Sequence, residues 1–156
     1  MSESRERFDV IVVGCGNAAL SAALSAKENG ANVLVLEKAP EEWRGGNSYF
    51  TGGLFRFAFD DVNELFDLVG DMTDAEKEGV DIKPYTSDDF FGDLYRLTDN
   101  MADPDLASTL IFNSLPTMKW LREKKVRFVL ASGRQAFNVD GKLRFWGGLI
   151  LEAVGG

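Results

Sequence analysis

Residues 8–37 read FDVIVVGCGNAALSAALSAKENGANVLVLE, and this stretch decides the fold. Residues 8–13 (FDVIVV) are a continuous apolar, β-branched run, the pattern of a strand buried on both faces of a parallel sheet. The glycines at 14 and 16 break that run. Residues 17–29 then turn to Ala, Leu and Ser, with Leu20, Ala23, Leu24 and Lys27 on helical spacing, and Gly30 follows as the stop. Residues 31–37 (ANVLVLE) read as a second buried strand. Strand, helix and strand in so short a span make one βαβ unit, with a right-handed crossover expected.

The break between the first strand and the helix is Gly14-Cys15-Gly16-Asn17-Ala18-Ala19. In the G-x-G-x-x-G/A pattern the first glycine makes a tight turn and the second lets the backbone approach a pyrophosphate. The third small residue, here Ala19, lets the helix lie close on the strand. A helix N-terminus presents free N–H groups and partial positive charge, which suits phosphate. Glu37 stands twenty-one residues after Gly16, where a carboxylate accepts hydrogen bonds from a ribose diol. The same charge repels a 2′-phosphate. Lys38 offsets that only if it points inward.

Residues 38–53 form a loop rich in Gly, Asn and Ser. Trp43-Arg44-Gly45-Gly46-Asn47-Ser48 and Thr51-Gly52-Gly53 follow the second strand directly. NAD has no evident use for a glycine-rich polar loop at this point. FAD is longer, and its flavin side needs close backbone approach with a few donors. Gly45, Gly46, Gly52 and Gly53 permit that approach, while Asn47, Ser48 and Thr51 supply donors.

Outward from there the chain reads as α/β: a Rossmann-like βαβ unit with an incomplete parallel sheet, then a mainly helical segment and a short β-hairpin. Residues 1–7 are a polar leader expected to fray. Residues 60–69 read as a short helix and 73–84 as a polar connection. Thr86 or Ser87 caps a helix running to about Asn100. Asp103-Pro104 starts another, broken near Asn113 or Ser114 ahead of Pro116, with a further helix to Lys125. Residues 126–130 and 142–146 read as strands, with a turn at residues 139–141. The domains expected are 1–60, the front of a cofactor-binding domain; 61–125, the helical segment; and 126–156, short strands leading towards further chain. With only two parallel strands expected, and a Gly-Gly at its end, the sequence reads as an N-terminal fragment.

Composition sets outer limits. The chain has 156 residues, 45% hydrophobic and 27% charged, as for a soluble globular domain. Its net charge of −8 argues against nucleic acid and anionic membrane surfaces as partners. There is no histidine and one cysteine, Cys15, so intrachain disulfides, His-based triads and zinc sites are excluded from these residues. Cys15 reads as a small side chain packed in the turn. Residues 10–26 carry no charge, but glycines, serines and Asn17 interrupt them; no targeting segment or membrane span is expected, and the location reads as cytoplasmic. Phe55, Phe57, Phe59 and Phe66 read as core rather than as flavin-stacking rings. Tyr49, Arg56 and Arg134 read as surface or packing residues. The acids at Asp60, Asp61, Asp88 and Asp89 suit turns and helix starts.

The opening through residue 40, followed by RGGNS at residues 44–48, resembles the fumarate reductase and succinate dehydrogenase flavoprotein superfamily. Within it, the likeness is to FAD-dependent tricarballylate dehydrogenases, and YTSDDFFGDLYRLTD, ADPDLA, GRQAF and FWGGL extend it over nearly the whole chain. The resemblance implies an FAD domain interrupted by a capping domain. It also implies hydride transfer between flavin and a small carboxylic acid substrate, and leaves room for an electron-transfer partner. It gives FAD roles to Gly14, Gly16, Asn17, Ala18, Glu37, Lys38, Gly45, Gly46, Asn47, Ser48 and Thr51; Arg44, Gly52 and Gly53 complete the candidate set. Succinate dehydrogenases place a flavin-linking histidine in this loop, where Tyr49 and Phe50 stand here, so non-covalent FAD is expected. No catalytic residue is matched. An NAD-linked dehydrogenase and a non-catalytic nucleotide-binding module remain as alternatives.

Overall fold

The computed structural model describes residues 6–145 and 147–155, which fall into two compact units, Met1–Gly52 and Gly53–Gly156. Residues 1–5 of the expected leader, Trp146 of the expected last strand and the terminal Gly156 lie outside the described residues.

In the first unit, β1 (Val10–Val13) and β2 (Val33–Leu36) pair in parallel, Val10 opposite Val33 through Val13 opposite Leu36. Helix α1 (Asn17–Glu28) connects them, as the apolar pattern predicts. It ends where Asn29 caps it and Gly30 turns to φ +87°, a conformation glycine adopts without strain. The entry to β2 is pinned by Asn32, whose N–H donates to the Asp9 carboxylate at 2.8 Å.

The expected double-sided burial of these strands is not found. Ile11 is 58% exposed and Val13 81%. Burial on both faces needs cover from both sides and neighbouring strands, and among the described residues this sheet has two strands. The loop that follows is more ordered than expected, with 3-10 turns at Glu41–Trp43 and Gly46–Phe50.

The second unit holds two three-stranded sheets. In one, β8 (Leu151–Ala153) lies between β3 (Leu54–Phe55) and β5 (Phe128–Leu130), antiparallel to both. In the other, β7 (Lys142–Phe145) lies between β4 (Val80–Asp81) and β6 (Ala136–Val139). The hairpin partner of residues 142–145 is thus β6, not the 126–130 segment, and the Asp140-Gly141 turn joins them. The expected polar connection at 73–84 instead folds into α3 (Asp74–Glu78) and β4, because Thr73 and Glu76 close a capping box.

The helices otherwise follow their caps. Asp61 starts α2 (Val62–Val69), and a Thr86–Asp89 capping box starts α4 (Ser87–Leu97). Helix α4 ends three residues before the expected Asn100, since Asp99 and Asn100 both take left-handed φ. Asp103 accepts from the N–H groups of Asp105 and Leu106 to start α5 (Pro104–Phe112). The break at Asn113 separates α5 from α6 (Ser114–Glu123), placing Pro116 in the first turn of α6, where a missing N–H costs little. A short α7 (Ser132–Gln135) precedes β6.

The core of this unit is apolar and aromatic. Phe57, Leu65, Ile111, Ile150 and Leu151 are completely or almost completely buried, with Phe59, Phe90, Met118 and Phe128 around them. Ser114 is its buried polar residue: Oγ donates to the Ile111 carbonyl at 2.7 Å and accepts the Ala58 N–H at 3.0 Å. No helix among the described residues is long and apolar enough to cross a membrane.

Candidate functional site

The turn between β1 and α1 is built from close backbone contacts. The Gly14 N–H donates to the Leu36 carbonyl at 2.6 Å, and Gly14 takes φ +110°, which an L side chain rarely adopts. A β-carbon at Gly14 would lie 3.8 Å from the Ala19 methyl, so the small residue at 19 sits where the motif requires it.

Gly16 is the N-cap of α1 and supplies no side-chain cap. The first N–H groups of a helix have no acceptor within it. That of Asn17 is met from the glycine-rich loop, donating to Ser48 Oγ at 3.0 Å. A β-carbon at Gly16 would come within 3.2 Å of Ser48 Oγ and 3.3 Å of the Gly45 carbonyl, so this cradle is one that a side chain would fill. The loop reaches back because Gly45 turns at φ +103°. Asn17 and Ala18 remain exposed, leaving the start of α1 open.

Glu37 joins the same cluster. Its carboxylate accepts the Ala39 N–H at 2.8 Å. That bond, foremost, holds its pKa below the ordinary glutamate value; the slight burial works the other way, and the N–H groups of Lys38, Cys15 and Gly45 add to the lowering. The carboxylate is therefore ionised and lies beside both the first glycine turn and the Gly45 bend. Ala39 escaped the sequence reading; a carboxylate two residues before a backbone N–H, ahead of Pro40, was its only signal.

The other candidates are less engaged. Lys38, Gly46 and Asn47 are exposed. Thr51 Oγ1 donates to the Ser48 carbonyl at 3.1 Å, and Arg44 pairs with Glu41 at 3.1 Å. Gly52 closes the first unit, whereas Gly53 belongs to the second, where its carbonyl accepts the Ala153 N–H. The structure thus gathers Gly14, Gly16, Asn17, Glu37, Gly45 and Ser48 around one turn. An ionised acceptor for a diol, an exposed helix start and a hydroxyl beside it fit an adenosine diphosphate moiety.

The second unit offers a cleft of about 380 Å³ lined by Asp81, Lys83, Tyr85, Asp93 and Arg144 among others. Its charges are mostly spent on one another. Asp93 accepts from Arg56, Tyr85 and Arg96 at 2.9–3.0 Å, and Arg144 grips Asp81 through two nitrogens. Arg96, ahead of Tyr85 and Arg56, holds the Asp93 pKa down, while burial pushes that of Tyr85 up. Such a closed network braces the fold rather than presenting free groups to a ligand.

Residues 9–149 match the family described as FAD binding domain. Over 124 residues, 79% of this chain and 21% of the relative, the sequence is 32% identical to a vinyl phenol reductase of Lactiplantibacillus plantarum. It is 30% identical over 120 residues, 77% of the chain and 18% of the relative, to a fumarate reductase (cytochrome) of Shewanella frigidimarina. It is 31% identical over 113 residues, 72% and 16%, to a urocanate reductase of Eggerthella lenta. The chain spans about a fifth of the length of these relatives. With nine-tenths of its residues matched and the glycine turn, carboxylate and loop in place, the chain belongs to the FAD-binding domain family of flavoprotein oxidoreductases.

Proposed function

We propose that this chain is the FAD-binding portion of an oxidoreductase that moves a hydride between flavin and a small carboxylic acid, making or reducing a C–C double bond. The observation that carries the reading is the ionised Glu37 carboxylate lying beside the turn amides of Cys15 and Gly45. Relatives named for fumarate and urocanate support the substrate class. Within that class, the tricarballylate-like motifs at residues 85–99 and 102–107 favour a tricarboxylic or dicarboxylic acid.

In this reading Glu37 accepts from the adenosine ribose. The start of α1 and Ser48 hold the diphosphate, and Gly16 keeps the cradle free of a side chain. Lys38, Arg44, Asn47, Thr51, Gly46, Gly52 and Gly53 complete the surroundings. Bound FAD supplies the hydride-accepting or hydride-donating atom, and the chain's own residues bind and orient it. Non-covalent attachment fits this reading, since Tyr49 and Phe50 occupy the loop in which succinate dehydrogenases carry a flavin-linking histidine. The match to the FAD-binding domain family supports FAD rather than NAD as the cofactor of the glycine turn.

The test is Glu37→Ala in the full-length protein. Weakened FAD binding with an unchanged circular dichroism spectrum supports the ribose role, and equal affinity in variant and parent refutes it. Turnover with fumarate, urocanate and tricarballylate then ranks the substrates.

A further inference from the structure

The second unit carries another cleft, of about 540 Å³, which shares no residue with the one beside Asp93. It opens between the end of α2 and the connection from α6 to β5. Leu68, Val69, Met72, Phe128 and Val129 form its apolar side. Leu68 and Phe128 belong to the core, while Val129 is 36% exposed. A cavity of about 380 Å³ adjoins it, sharing Val69, Met72 and Val129 and adding Val80 and Leu143.

Three cations, Arg122, Lys125 and Arg127, line the same cleft in a chain whose net charge is −8. Among the described residues none of their side chains forms an ion pair or a hydrogen bond. The end of α6 does not use them. Its last carbonyls are met by backbone N–H groups, Lys124 donating to Trp120, Lys125 to Arg122 and Val126 to Leu121. Of the two acids lining the cleft, Glu76 is turned to the N–H and hydroxyl of Thr73. That leaves Asp71 against three positive charges.

Two of the cations are placed by unusual backbone. Lys125 takes φ +72°, the left-handed position after a helix where glycine is the usual occupant. Arg122 lies against Gly70, which turns at φ +90°, and a β-carbon there would collide with Nη2. A lysine is thus kept where it is strained, and a guanidinium is seated where only glycine leaves room.

We infer that this cleft binds a small amphipathic anion. Its carboxylate sits among Arg122, Lys125 and Arg127, and its alkyl or aryl body lies along Val69, Met72 and Val129. Small-molecule sites occupy about 300–1,000 Å³, so the cleft has the size. Guanidinium groups grip carboxylates through paired N–H donors, and here no existing ion pair has to break first. Inorganic phosphate would meet the cations and leave the apolar side wet. A neutral hydrocarbon would do the reverse. The two surfaces together select a molecule that carries both.

The experiment is calorimetric titration of octanoate into the full-length protein, with FAD and fumarate both saturating. Octanamide, without the charge, and inorganic phosphate, without the chain, should each bind at least about tenfold more weakly. Arg122→Gln and Arg127→Gln should each weaken octanoate about twofold to fivefold, the worth of one exposed charge pair. Lys125→Gly separates binding from folding. Glycine relieves the strained position, so the thermal midpoint should rise while octanoate binding falls about twofold to fivefold. Parental octanoate affinity in all three variants, or no octanoate binding with FAD and fumarate present, would overturn the proposal. Tighter binding of hexaglutamate than of octanoate would also overturn it and assign the cations to an acidic protein segment.

Discussion

Ser48 Oγ accepts the N–H of Asn17 at 3.0 Å, so the loop after the second strand caps the helix that follows the first. Thirty-one residues separate the two partners. One hydroxyl thereby fixes the loop to the glycine turn, and helix start and loop form a single surface.

Removing that hydroxyl should be felt as a lost cap. Ser48→Ala is expected to destabilise the protein by about 0.5–2 kcal/mol, and Ser48→Thr to restore most of the loss. Urea unfolding of parent and both variants measures the difference.

Gly16 tests the cradle itself. A methyl at this position would press on Ser48 Oγ and the Gly45 carbonyl, at 3.2 and 3.3 Å. Overpacking of this kind costs about 1–3 kcal/mol. Gly16→Ala should therefore shift the loop and lower FAD affinity roughly tenfold or more, read by flavin retention on gel filtration. Unchanged retention would mean that the loop does not contribute to the site.

The pH dependence of binding follows from Glu37. Its folded pKa is lowered, first by the Ala39 N–H. A depressed carboxylate pKa means that its contribution is fully present above the ordinary glutamate range and is lost as pH falls through the lower folded value. FAD affinity should thus hold as pH falls from neutral and decline at a lower pH than an unperturbed glutamate would give. Glu37→Gln, lacking the charge, should bind FAD roughly tenfold more weakly at neutral pH. Isothermal titration at a series of pH values checks both statements.

The second unit depends on its core and its brace. Phe57→Ala should cost about 3–5 kcal/mol, because the ring is fully buried. Asp93→Asn should cost about 1–3 kcal/mol by weakening the shared acceptor of Arg56, Tyr85 and Arg96. Denaturant midpoints separate the two effects.

The parts of this molecule that were legible in its sequence are those set by local chemistry. The apolar runs at 10–13 and 33–36, the caps at Thr86 and Asp103, and the glycines of the first turn each carry their own signal. Strands of two or three residues do not. Leu151–Ala153 becomes a strand because Leu54–Phe55 and Phe128–Leu130 flank it, and Val80–Asp81 because Leu143–Arg144 lies alongside with an ion pair. At the candidate site, Gly16 and Glu37 were singled out by motif spacing and Ser48 by the polar, glycine-rich loop that carries it. The Ser48–Asn17 bond and the Ala39 amide were not, since both depend on how the loop folds back. The exposure of Ile11 and Val13 was also missed, because a strand's composition does not reveal how many neighbours cover it.

In the proposed function the glycine turn and Glu37 hold the adenosine diphosphate half of FAD. Competitive titration of the full-length protein with FAD, FMN and ADP tests it most directly. The account predicts that FAD binds at least about a hundredfold more tightly than FMN, which lacks the adenylate, and that ADP displaces FAD. Equal affinity for FAD and FMN, with no competition by ADP, would contradict it.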